Sequence, residues 1–142
     1  MKFKNKLSKT VLIYLCVAVF SFIFAFVYFQ FSHGVFSYSM FLVAPVLLVF
    51  GAGIFFLFRF IAVQMPQYRF FRLFYNLYNS ALAIIGVGMA VNGILTIAGT
   101  GSNLVVWYFY AGGAFAAAAV ALCVIMLIRR DIKPKHIVST EP

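Results

Sequence analysis

Two long stretches without charge govern what this chain can become. Between Lys9 and Arg59, and again between Arg72 and Arg129, there is no Asp, Glu, Lys or Arg. A hydrocarbon core about 30 Å thick is crossed by roughly 20 helical residues, each rising about 1.5 Å. Each stretch has room for two such crossings and a short turn; it is too long for one and too short for three. Composition agrees. Of the residues, 65% are hydrophobic and 9% charged, with mean hydropathy +1.08, whereas a soluble domain is about half apolar and a quarter charged. Lipid is the only solvent such a chain can present most of its surface to. Four crossings use nearly all of its length, so a single membrane domain over residues 1–142 is expected.

The turns are visible within the uncharged stretches. Ser32, His33, Gly34 and Ser37 interrupt the first, and Gly99, Thr100, Gly101, Ser102 and Asn103 interrupt the second. The spans then fall at about 10–30, 39–61, 74–98 and 104–128, with a tail over 129–142. The apolar runs are continuous and do not alternate, which excludes spanning β-strands. In lipid every backbone N–H and C=O needs a partner within the protein, so these runs must be helices. The predicted fold is an all-α integral membrane protein, a four-transmembrane-helix bundle with short loops.

Charge sets the orientation. Lys2, Lys4, Lys6 and Lys9 precede the first span. Arg59, Arg69 and Arg72 flank the link between the second and third. Arg129, Arg130, Lys133 and Lys135 follow the fourth. All the basic residues fall on one side and none in the opposite loops, which places both termini in the cytoplasm of a cell membrane. The net charge of +9 is therefore an orientation signal. No basic domain exists to follow phosphates, and no nucleic-acid partner is expected. The basic, then apolar N-terminus is read as an uncleaved first span, because the apolar run is long for a signal peptide and no A-x-A site precedes Gln30.

Helices in lipid associate by close approach at small residues. The first span carries Ala18, Ser21 and Ala25 at spacings of three and four. The second has Ala44, Gly51, Ala52 and Gly53, with Pro45 near its outer end. The third has Ala83, Gly86, Ala90 and Gly93. The fourth is small nearly all round, with Ala111, Gly112, Gly113, Ala114, Ala116 to Ala119 and Ala121. Such a helix is expected to touch protein on more than one side, either at the centre of the bundle or in a subunit interface. Aromatic belts are expected at Tyr28, Phe29, Phe36, Tyr38, Trp107, Tyr108 and Tyr110 outside and at Phe70, Phe71, Phe74, Tyr75 and Tyr78 inside. Arg59, Arg69, Arg72, Arg129 and Arg130 are the candidate contacts for anionic lipids at the cytoplasmic face, and residues 64–73 are expected to lie along that interface.

Residues able to carry chemistry are few. The carboxylates are Asp131 and Glu141, both in the tail, so no acid lies in a span to couple protons. His33 has no second ligand or orienting carboxylate near it in sequence, and makes neither a metal site nor a triad. Cys16 and Cys123 sit in apolar runs and form no disulfide framework. No cofactor and no enzymatic activity are expected. Polar residues inside spans are the remaining candidates. Asn92 and Thr96 share a face near mid-membrane, and either bond a neighbouring helix or line a path. Asn76 and Asn79 open the third span and either cap it or line an inner vestibule. The expected function is non-catalytic action by association, as an accessory or stabilising subunit of a membrane complex. The alternative is a homo-oligomeric channel or carrier for a small solute, with Asn92 and Thr96 facing the path. The expected partners are the bilayer, its anionic lipids, and further copies or other subunits.

Overall fold

The computed structural model describes residues 2–61 and 70–129, with side chains over 8–58 and 70–128. The order is α1 (Lys2–Phe31), α2 (Tyr38–Val46), a π-helical segment (Leu47–Gly53), α3 (Ile54–Ile61), α4 (Phe71–Ile97) and α5 (Val105–Arg129). α2, the π segment and α3 are one continuous second span, so among the described residues four helices are long and apolar enough to cross a membrane. The boundaries follow from local chemistry. α1 ends where the Ser32 hydroxyl donates to the Phe29 carbonyl at 2.7 Å, before a turn in which His33 (φ 51°) and Gly34 (φ 92°) are left-handed. α4 ends in a Schellman motif. Gly99 is left-handed (φ 68°), Thr100 N–H donates to Leu95 O at 2.9 Å, and Gly99 N–H to Thr96 O at 3.2 Å, which satisfies carbonyls the helix leaves open. The end carrying the turns at 32–37 and 98–104 is called the loop end below. The other, where α1 begins and α5 finishes, is the terminal end.

The second span is not uniform. Pro45 has no N–H to give the carbonyl of Phe41 and its ring crowds that carbonyl; the backbone widens into π geometry two residues later. π-turns of this kind leave carbonyls with altered pairing and occur often at functional positions.

The spans pack in chain order. α1 lies against α2 and the π segment, α2 lies against α4, and α4 lies along α5. Ala18 of α1 meets Val43 and Leu47, with Met89 and Ala90 of α4 beside them. The α4–α5 hairpin has a seven-residue repeat on both sides. Phe74, Ala81 and Gly88 are buried on α4, and Val105, Gly112, Ala119 and Met126 on α5. Seven-residue spacing keeps one seam in register along paired helices. α4 is thus the hub, in contact with α2 on one face and α5 on another. This corrects the expectation that the fourth span could sit centrally. α5 is an edge helix, buried along a single line.

Candidate functional site

Three places in the molecule bring together the residues that the sequence singled out. At the terminal end a polar network joins three spans. Thr10 Oγ1 and the Tyr75 hydroxyl are 2.8 Å apart. The Tyr14 hydroxyl donates to Asn79 Oδ1, and Asn79 Nδ2 donates to Tyr75 O at 2.6 Å. The Tyr78 hydroxyl donates to Phe50 O, in the π segment, at 2.5 Å. These groups lie around Phe55, among the described residues the largest fully buried side chain, at 0% exposure. Its ring is 5.4 Å from Tyr75, 5.6 Å from Tyr78 and 5.9 Å from Tyr14. Tyr14 comes this close because Gly51 leaves room: a Cβ there would run into its ring. Phe74, Tyr75 and Tyr78 therefore face inward, where the sequence reading placed them in an interfacial belt. For Tyr75 and Tyr78 the physical reason is that a phenol with a hydroxyl or carbonyl partner satisfies its own hydroxyl inside the protein and buries its ring as well; Phe74, which has no hydroxyl, packs against Ala119 and Met126 of α5. Asn76 is exposed and takes no part; Asn79 is the vestibule candidate that enters the network.

At the loop end, α2 crosses α4 closely. A Cβ on Gly93 would lie 2.6 Å from Met40 Cβ and 3.2 Å from its backbone nitrogen and Cα. Beside this crossing Asn92 Nδ2 donates to Ser39 Oγ at 2.8 Å, and Thr96 Oγ1 donates back to Asn92 O at 2.7 Å. α4 ends at Ile97, so Asn92 lies about 8 Å from that end at 1.5 Å per residue. It is nearer the loop end than the mid-membrane position read from the sequence.

Between these two contacts α1 and α4 stand apart over a floor of α2 and the start of the π segment. The gap is a laterally open apolar cleft of about 370 Å³. Val17, Phe20, Ser21 and Phe24 form one wall, Met40, Val43 and Leu47 the floor, and Leu82, Ala83, Gly86, Val87 and Ala90 the other wall. Ser21, Ala83, Gly86 and Ala90, read from sequence as packing positions, line this space. Ala18 and Ala25 are buried on α1, and Gly93 meets Met40 directly.

On α5, Gly112 faces Ile85 and the Ala81 carbonyl, whereas a Cβ on Gly113 meets nothing within 4 Å. Gly113, Ala114, Ala117, Ala118 and Ala121 are all exposed. The structure therefore separates the two adjacent glycines of the sequence reading: one is packed, one is open. Of the arginines, Arg72 is exposed near the start of α4. Arg69, Arg130 and the side chains of Arg59 and Arg129 lie outside the described residues, as does most of the 64–73 segment.

Thr10, Tyr14 and Ser39 are not singled out by the sequence, and Tyr75 and Tyr78 are expected from it only as members of an aromatic belt. The available signal was spacing: Thr10/Tyr14 and Tyr75/Asn79 are each i, i+4, and the two pairs meet. Among the described residues no group of three or more His, Cys, Asp or Glu is placed to hold a metal. No protein family, curated protein or solved structure matches the chain.

Proposed function

We propose that this small multi-pass protein acts by association in the cell membrane, as a non-catalytic subunit that packs through α5 against another membrane protein or a second copy of itself, with both termini cytoplasmic. The observation that carries the reading is the state of α5: one line of contact to α4, and on the opposite side of the helix an exposed face of Gly113, Ala114, Ala117, Ala118 and Ala121. Small residues on a lipid-exposed face give lipid little to pack against, yet allow another helix to approach closely, which is how helices associate without a hydrophobic driving force. The distribution of charge along the sequence supports the orientation, since every Lys and Arg precedes the first span, follows the fourth or flanks the link between the second and third. The placement of Asp131 and Glu141 in the tail supports a role without acid–base chemistry. The carrier alternative would have Asn92 and Thr96 on a wetted path. Association is preferred because Asn92 gives its amide to Ser39.

The test is site-specific photocrosslinking in intact membranes. A photoreactive residue at Ala117 or Ala121 is expected to give one discrete protein adduct, and one at Leu12 or Ile13 of α1 lipid adducts alone. Equal yields of protein adducts from both helices, or none from α5, would overturn the proposal.

A further inference from the structure

We infer that the cleft between α1 and α4 is a binding site for a single lipid acyl chain. The inference is independent of the association proposed for α5, which lies on the other face of α4. The cleft is formed by the way the two walls meet. At the terminal end, Tyr14 reaches Asn79 and closes the gap. One turn further on, Val17 and Leu82 begin the open part, which continues to Phe24 and Ala90. At 1.5 Å per residue the cleft is about 10–12 Å long, a little less than the depth of one leaflet of a 30 Å hydrocarbon core. Gly86 gives separate evidence of unfilled space: it is buried, yet a Cβ on it would meet nothing within 4 Å.

The occupant follows from the lining and the mouth. A volume of about 370 Å³ is in the range of small-molecule sites, roughly 300–1,000 Å³. Ser21 is the one polar side chain in the lining and no charged residue contributes, so the ligand must be hydrocarbon over this length. The mouth is continuous with the apolar surface that the spans present to the bilayer: Phe20, Phe24 and Val87 on its rims are all exposed. An empty apolar gap forfeits dispersion contacts on every wall, and at this depth the bilayer supplies methylene chains at high concentration. A partner helix is about 10–12 Å across with its side chains. It would cover the rims, but the Tyr14–Asn79 bridge keeps α1 and α4 from parting for it along their full length.

The experiment uses the full chain in phosphatidylcholine vesicles, doped with a phosphatidylcholine that carries a photoreactive group within one acyl chain. Adducts are mapped by mass spectrometry. Labelling is expected to be severalfold denser at Val17, Ser21, Ala83 and Gly86 than at Leu12 and Ile13, which face lipid without a cleft. Gly86→Leu, which fills the space, is expected to bring cleft labelling down to the level of Leu12 and Ile13 while thermal unfolding in detergent stays the same or improves. Ala83→Leu at the rim serves the same purpose should Gly86→Leu fail to fold. Labelling no denser in the cleft than at Leu12 and Ile13 would overturn the inference, as would cleft residues that crosslink to protein and take no lipid.

Discussion

At the residue scale, adjacent positions with the same chemistry have opposite roles, and packing tells them apart. Gly112 and Gly113 are the clearest pair. Gly112→Leu drives a side chain into Ile85 and the Ala81 carbonyl and is expected to cost about 1–3 kcal/mol or more through overpacking. Gly113→Leu meets nothing within the chain, so thermal unfolding of the isolated protein should be unchanged while crosslinking through Ala117 falls. Equal loss of stability at both positions would mean that the α4–α5 seam does not run through Gly112. Asn92 is the second case. Asn92→Leu and Ser39→Ala each remove the same hydrogen bond and are expected to cost about 0.6–1.7 kcal/mol, with the double mutant little worse than either single one. With Cys16 and Cys123 replaced, a cysteine at Asn92 should stay unreactive to small aqueous thiol reagents. Reactivity repeating along Gly88, Asn92 and Thr96 would instead show a wetted face and favour the carrier reading.

At the scale of the element, the second span shows how one imino acid propagates. Pro45 removes a hydrogen bond, the chain widens over Leu47–Gly53, and the Phe50 carbonyl receives the Tyr78 hydroxyl. Tyr78→Phe is expected to lower stability in detergent by about 1 kcal/mol, in line with other hydrogen bonds between helices in membranes, and to leave helix content by circular dichroism unchanged. A loss below the error of the measurement would show that the phenol finds an equal partner in water or lipid headgroups. α4 is legible only in part from its sequence. The series Ala83, Gly86, Ala90 and Gly93 is visible in the sequence as a row of small residues; of these Gly93 meets Met40 of α2 directly, whereas Ala83, Gly86 and Ala90 line the open cleft. The second series, Phe74, Ala81 and Gly88, is not visible, because α4 carries small residues on several faces and their spacing alone does not say which face has a neighbour. The same limit hid the seam on α5, where small residues lie nearly all round and, among the described side chains, only Val105, Gly112, Ala119 and Met126 are buried.

At the scale of the whole molecule, the charge pattern makes a prediction independent of any contact. Single cysteines at Gly34 and Gly101, in an otherwise cysteine-free chain, should react with a membrane-impermeant thiol reagent outside intact cells, and ones at Gln67 and Ser139 should not. Labelling at Gln67 from outside would invert the proposed orientation. The number of spans, their limits to within a few residues, the positions of both loop-end turns and the expected orientation all come from the sequence by itself. Each rests on one-dimensional facts: how far an uncharged run extends, where glycine and serine interrupt it, and where Lys and Arg collect. Lipid demands these patterns of any chain that crosses it, whatever the neighbours. Tertiary structure alone decided the order of packing, with α4 as hub and α5 at the edge, the inward turn of Phe74, Tyr75 and Tyr78, and the cleft between α1 and α4. The physical reason is that in a medium as apolar as leucine, hydrophobicity does not distinguish a face turned to protein from one turned to lipid. Only shape and hydrogen bonding do, and both depend on which residues of other helices stand opposite.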